Sequence, residues 1–417
     1  MAGSEATLPG GVRLSDLMSV MVLAKVFPVD RVNAVLGETR RASQRERLLP
    51  ATMMVYYVMA LALFMQVSYQ EILRLVFEAF NWYSPVPDRV QIAAKSAIAK
   101  ARDRLGAEPL KQLFEQLALP IAKESTQGAF LRNWRLVTLD GSTLDVGDTK
   151  ENETEFGRPG VSRGPGSAYP KLRFCSLVEN GTHIFFGAAA GPYSVGEVTL
   201  AGSILGRLSP GMLCLADRGF SGYSLWTRAA STGADLLWRV KGNTILPCEK
   251  RLPDGSYLSR IYPHPNERRR GGEGVTVRVI EFQLTGESSS EVSESEAGPE
   301  ETLFRLITTI LDPIAATATE LASAYADRWE IETALDEFKT HLRGRGIVLR
   351  SKTPSGVYQE FWGFLLAHYA VRSIMHDAAL RAQVDPDRLS FIHAVHTVRR
   401  KLPFFLVVPP SQVGSSL

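Results

Sequence analysis

The chain has 417 residues, 45% hydrophobic and 22% charged, with a formal net charge of +3. That is the composition of a globular protein with a large core and two or three domains; it excludes a disordered or fibrous chain, and the charge alone names no partner. Three cysteines, Cys175, Cys214 and Cys248, lie far apart beside apolar runs, which predicts reduced thiols in a cytosolic protein rather than a disulfide framework.

Residues 1–125 read as a helical domain. "MAGSEATLPGG" lacks the basic start and apolar run of a secretory signal. "LSDLMSVMVLAKVF", "YQEILRLVFEAF" and "VQIAAKSAIAKARDRLG" carry apolar residues at helical spacing, and "NWYSPVPD" breaks the last two apart. Leu48 to Gln70 holds no charge, yet Thr52, Gln66, Ser68 and Gln70 dilute it, so a buried helix is expected rather than a membrane span.

From residue 126 strands appear. "WRLVTLDGSTLDV" alternates like a strand, a Gly/Pro-rich loop follows at 157–170, and Asn180-Gly181 between "KLRFCSLVE" and "THIFFGAAA" marks a hairpin. "VGEVTLAGSILGRL" is helical, "GMLCLAD" a short buried strand, "SGYSLWTRAAS" a helix and "DLLWRV" a strand, giving β-β-β-α-β-α-β. Residues 245–312 form a second strand-rich piece around "VTVRVIEFQL" and "LFRLITTIL"; between them "TGESSSEVSESEAGPEE" has too little apolar area to fold and is expected to be a disordered loop. Residues 353–417 are again helical.

Two strands end in an acid, Asp140 in "VTLDGST" and Asp217 in "CLADRGF". Ligands gather at that end of α/β strands. Were the two strands neighbours, the carboxylates would face one another and need positive charge, and hard oxygen ligands suit Mg²⁺ or Mn²⁺. Asp145, Asp148 and Asp235 are nearby alternatives better suited to caps or solvent. "YADRWEIETALDEFKTHLRG" sets Tyr325, Arg328, Glu332 and Lys339 at offsets 0, +3, +7 and +14. On one continuous α-helix those four fall within an arc of roughly 60°. Ile331, Ala334, Leu335, Phe338 and Leu342 form an adjoining apolar stripe. Alone, such a row reads as a solvated face with ion pairs; Glu332 is the candidate third acid if it is a site.

The spaced pattern Y-x2-R-x3-E-x6-K resembles the signature of the insertion sequence four family of DDE transposases, and "LDGST" and "LADRGFSGY" resemble its two aspartate motifs in the right order. The resemblance implies an α/β fold: a ribonuclease-H-like mixed-sheet core (126–244 and 313–352), a helical N-terminal, DNA-binding domain (1–125), a β-rich insertion (245–312) and a helical C-terminal region (353–417). It implies an enzyme: a DNA transposase moving an element by cut-and-paste through a hairpin intermediate, with two Mg²⁺ or Mn²⁺ ions held by Asp140, Asp217 and Glu332. Tyr325, Arg328 and Lys339 would contact phosphates near the element's end, and Trp329 a flipped base, although core packing would equally explain a tryptophan there. The partners would be terminal inverted repeats and target DNA, bound by a homodimer in the cytoplasm at the nucleoid, not at a membrane. A metal-dependent nuclease of the same fold, or a catalytically inactive DNA-binding protein, are the alternatives.

Basic stretches at 40–47, 266–272 and 339–352 suit a polyanion. His393 and His396 beside Arg399, Arg400 and Lys401 read as a basic helix rather than a metal site. "GPYSVG" is one residue too long for a nucleophile elbow, and no P-loop, dinucleotide fingerprint, HExxH or CxxC occurs.

Overall fold

The computed structural model describes residues 22–45, 47–83, 93–160, 168–283, 303–342 and 348–400. Five helices come first: α1 (Val29–Glu38), α2 (Ala51–Leu63), α3 (Tyr69–Tyr83), α4 (Lys95–Leu105) and α5 (Glu108–Leu117). The core follows as β1 (Phe130–Leu131), β2 (Trp134–Asp145), α6 (Lys150–Phe156), β3 (Lys171–Glu179), β4 (Ile184–Pro192), α7 (Glu197–Ile204), β5 (Met212–Ala216), α8 (Tyr223–Ala230) and β6 (Asp235–Arg239). Then come β7 (Lys250–Arg251), β8 (Tyr257–Ile261), α9 (Pro265–Arg269), β9 (Val275–Gln283), β10 (Leu303–Thr308), α10 (Ala318–Ala326), α11 (Glu330–Asp336), α12 (Pro354–Ala382) and α13 (Phe391–Arg400).

Among the described residues the strands form one sheet in the order β4-β3-β2-β5-β6-β10-β9-β8-β7, with β1 on β2. β2, β3 and β4 are antiparallel, whereas β5 and β6 run parallel to β2. That is the α/β, ribonuclease-H-like order expected. The β-rich insertion does not stand apart: β10 pairs with β6, and β9, β8 and β7 extend the same sheet. An edge left open at β6 would expose unpaired backbone groups, and the insertion covers them. The Ser/Glu-rich loop and residues 161–167 of the Gly/Pro-rich loop lie outside the described residues.

Strand alternation splits the core in two. Val137, Leu139, Cys214, Ala216 and Trp238 join the larger core, under the long helix α12 and the N-terminal helices. Leu136, Leu213, Leu215, Leu237 and Leu306 face a smaller core closed by Leu321, Ala324 and Tyr325 of α10. A capping box starts α10: the Thr317 hydroxyl accepts from the Glu320 N–H while the Glu320 carboxylate accepts from the Thr317 N–H.

Helix α2 is the uncharged run, and Met53 to Leu63 are all buried. A helix apolar on every side must be enclosed on every side, and α12 supplies one wall. Among the described residues no helix is long and apolar enough to cross a membrane. Where the two helices meet, a Cβ on Gly363 would sit 2.8 Å from the Val58 carbonyl oxygen. Gly363→Val should therefore force them apart and cost about 1–3 kcal/mol in urea unfolding; unchanged stability would show the crossing to be slack.

The Asn180-Gly181 hairpin exists, but its turn spans residues 180–183. The Asn180 side chain is the reason: buried, it accepts from the Thr138 hydroxyl at 2.8 Å and donates to the Asp327 carbonyl at 3.1 Å. Gly181 is required, with φ +73° and a Cβ position 2.4 Å from the Gln127 carbonyl oxygen.

Candidate functional site

Strand pairing brings the two aspartates together. In the parallel β2–β5 register Leu139 lies opposite Ala216, so Asp140 and Asp217 are the next residues on adjacent strands. By alternation both turn to the smaller-core face, the face of Leu136, Leu213 and Leu215. Burial pushes the Asp140 carboxyl up to about 6; a bond from the Gly141 N–H (2.7 Å) and the Arg328 charge oppose this, and Asp217 and Glu197 add to it. The Asp217 carboxylate accepts from the Gly219 N–H at 2.8 Å. Two carboxylates crowded at one sheet edge, one of them destabilised by burial and by the other, make an oxygen-rich site that fits a hard divalent cation.

The helical segment that starts on this face at Leu321, Ala324 and Tyr325 and goes on to the larger core at Ile331, Ala334, Leu335, Phe338 and Leu342 is not the single straight rod expected from the sequence. It runs α10, a 3-10 turn over Asp327–Trp329, α11, then a π-helical turn over Glu337–Leu342. π turns insert a residue and shift the phase of whatever follows. The cause is packing: Glu337 and Phe338 are both buried although consecutive, Glu337 on Arg372 and Phe338 among Phe174, Phe185 and Phe361.

The row is accordingly no solvated face. Tyr325 is buried in the smaller core, and burial pushes its hydroxyl up to about 12, Arg328 and Arg239 opposing and Asp217 adding. Arg328 Nη1 is 3.9 Å from Asp140 Oδ2. Partial desolvation at its base raises the Glu332 carboxyl and the Arg328 charge lowers it, so one guanidinium serves both acids. Glu332 itself is exposed. The three acids do not form a group whose ligand oxygens all lie within 4.8 Å; Arg328 stands among them. The π turn delivers Lys339 Nζ to the Ser142 hydroxyl, 2.9 Å away and two residues past Asp140 on the same strand face. Trp329 is 47% exposed, which removes core packing as its explanation.

Two atoms matter most. The Tyr325 hydroxyl oxygen and Arg328 Nε are buried and have no hydrogen-bond partner among the described residues. Buried donors without acceptors are costly, and a ligand offering oxygens would satisfy them.

The other aspartates are structurally occupied: Asp145 pairs with Lys171 at 2.7 Å, Asp148 with Arg158, and Asp235 accepts from Trp134 Nε1 and the Thr309 hydroxyl. Cys175 and Cys214 are buried free thiols and Cys248 an exposed one. His393 and His396 are exposed on α13, and Lys401 lies outside the described residues. Sequence reasoning missed Glu197, which lies against Gly141, and Ser142; the alternation of "LDGST" would have placed Ser142 beside Asp140.

The family profile described as insertion element 4 transposase N-terminal matches residues 17–115, and the transposase DDE domain profile matches residues 135–369. The chain is 26% identical over 388 residues to the transposase InsG for insertion sequence element IS4 of Escherichia coli K12, covering 92% of this chain and 83% of that one. It is 26% identical over 234 residues to a putative transposase, InsZ, of the same strain, covering 56% of this chain and 73% of the relative. Among solved structures, a piggyBac transposase synaptic complex with hairpin DNA aligns with TM-score 0.45 and 10% identity, over 94% of this chain and 82% of that one. Two profiles matched in order, one across more than half the chain, make it a member of the DDE-domain transposases of the insertion element 4 family.

Proposed function

We propose that this transposase excises and inserts its element by cut-and-paste, cleaving DNA at terminal inverted repeats with Asp140, Asp217 and Glu332 as metal ligands. The observation that carries the reading is one arrangement: Asp140 and Asp217 abreast on parallel strands, with two buried donors of Tyr325 and Arg328, lacking acceptors, above the same face.

Asp140 and Asp217 would hold divalent cations, Mg²⁺ or Mn²⁺, jointly with Glu332. Two such ions supply activation of an attacking oxygen and stabilisation of the leaving one in phosphoryl transfer. The chain's own groups do the rest. Arg328 offers a planar fork and Tyr325 a hydroxyl to phosphate oxygens. Lys339, anchored on Ser142, adds a positive charge beside Asp140. Trp329 presents an exposed ring on which a displaced base can stack. Water attacks the element's end first, releasing a 3′-hydroxyl; that hydroxyl then attacks the opposite strand to close a hairpin. A dimer would bring the two ends together.

Incubation with labelled terminal-repeat DNA, with and without Mg²⁺, tests this. Nicks followed by hairpins at the repeat boundary are expected only with metal; metal-independent binding without cleavage would favour a catalytically inactive DNA-binding protein.

Two smaller effects are expected. Trp329→Ala should leave folding stability within about 0.5 kcal/mol, as for an exposed side chain, and weaken the complex with a hairpin end by about 1–3 kcal/mol. Equal affinity for that DNA would remove the stacking role. In the N-terminal region Arg40, Arg41, Arg47 and Arg104 line a pocket of about 200 Å³ with no acidic residue among the described residues that line it. Exchanging Arg40 and Arg47 for glutamine should lower the salt dependence of DNA binding by about one unit of log–log slope for each phosphate left unneutralised. An unchanged slope would assign the pocket another task.

A further inference from the structure

A second polar group lies beside the catalytic helix. Glu330 opens α11, and at about 100° per residue it points roughly opposite to Glu332, away from the aspartates. It meets His183, from the β3–β4 turn, and Asp387, from the 3-10 turn Pro386–Arg388. His183 Nε2 is 3.3 Å from Asp387 Oδ1 and 3.8 Å from Glu330 Oε2. One ligand atom from each of the three lies within 4.8 Å of the others. His183 is only 3% exposed, and its Nε2, facing the two carboxylates, is buried with no hydrogen-bond partner among the described residues. A cavity of about 480 Å³, bordered by Trp329 and Thr333, opens onto the group and gives an ion a path in.

We propose that His183, Glu330 and Asp387 bind one divalent cation of the zinc class. An imidazole nitrogen with two carboxylate oxygens favours Zn²⁺ and similar first-row ions over Mg²⁺, which takes oxygen ligands. Three protein ligands leave a position for water. An outer partner is near: Glu337 Oε1 lies 3.7 Å from His183 Nδ1, so a small approach would let it accept the ring proton in a carboxylate–histidine–metal arrangement. Without metal, Arg372 touches Nδ1, and a guanidinium only donates, so the ring proton sits on Nε2. Ion binding displaces that proton from Nε2 to Nδ1, with no net release from the ring, and as the Arg372 guanidinium withdraws Nδ1–H turns toward Glu337. The ion would join the β3–β4 turn, the start of α11 and the C-terminal helical region, fixing the helix that carries Arg328, Trp329 and Glu332. It is a positioning ion.

Titration of the full chain with Co²⁺, followed by visible absorption, tests the site without any activity measurement. With the aspartate site kept filled by excess Mg²⁺, the expected result is one Co²⁺ that Zn²⁺ displaces and Mg²⁺ does not. It should persist in Asp140→Asn/Asp217→Asn and weaken tenfold or more in both His183→Gln and Asp387→Asn. Should His183→Gln fail to fold, Asp387→Asn, on a surface turn, decides alone. Binding that vanishes with the two aspartates, binding unchanged in Asp387→Asn, or no binding at all would overturn the proposal and leave His183 as a buried ion-pair partner.

Discussion

Asp140→Asn is expected to abolish cleavage at the repeat boundary, by about 10³-fold or more, while DNA binding persists. A thousandfold corresponds to roughly 4 kcal/mol of transition-state stabilisation, a modest demand for a lost metal ligand. Folding should not suffer. Asparagine keeps an acceptor for the Gly141 N–H, and the carboxylate it replaces is a burden to the metal-free protein. Burial, with Asp217 nearby, holds the Asp140 carboxyl at about 6 against an ordinary 3.8. The folded state therefore binds its proton more tightly than the unfolded chain does. The sign follows: stability is fully present below pH 4 and is lost as pH rises toward 6, by an amount on the order of 2–3 kcal/mol. Urea unfolding in EDTA should show the asparagine variant as stable as the parent at pH 4 and more stable at pH 7. Mg²⁺ should raise the melting temperature of the parent and not of the variant. Wild-type cleavage by the variant would sink the catalytic assignment.

The largest stability effect is expected at Glu337. Its carboxylate accepts from Arg372 Nε at 2.8 Å and from a second Arg372 nitrogen, with His368 Nε2 at 3.4 Å. Arg372 is 2% exposed. Glu337→Ala leaves that buried guanidinium without its carboxylate, a situation that costs about 3–5 kcal/mol out of a total near 5–15 kcal/mol. Burial raises the Glu337 carboxyl, but His183, His368 and Arg372 outweigh it and hold it well below the usual range. A depressed carboxyl gives stability that is present above its unfolded value, about 4.3, and is lost as pH falls through the folded value. The alanine variant should thus be much weaker than the parent at neutral pH and approach it in strong acid. Glu337→Leu combined with Arg372→Met, which removes both charges, should recover much of the loss. If the double variant is no better than Glu337→Ala, an unpaired charge is not the cause. Because Glu337 opens the π turn, its loss should also loosen Lys339 from Ser142.

Local chemistry was legible in the chain. "VTLDGST" and "CLADRGF" placed acids at strand ends, and the spacing of Tyr325, Arg328, Glu332 and Lys339 marked out their segment. The order β-β-β-α-β-α-β was readable because alternation and turn residues act over a few positions, but the short strand β1 (Phe130–Leu131) and the helix α6 (Lys150–Phe156) between β2 and β3 were not foreseen. The uncharged run from Leu48 also gave away its burial, since such a helix has no face to offer water.

What the sequence could not decide depended on partners distant in the chain. The one-residue phase shift before Lys339 comes from Arg372 and a ring cluster drawn from β3, β4 and α12. No helical periodicity contains that information. The insertion's strands close the β6 edge of the core sheet, a choice made by unpaired backbone groups rather than side chains. His183, Glu330 and Asp387 meet across more than two hundred residues, each unremarked locally. The sequence by itself determined which groups the protein carries and on which kind of element; tertiary structure alone decided which of them share a dry space, because desolvation and charge act through distance and not along the chain.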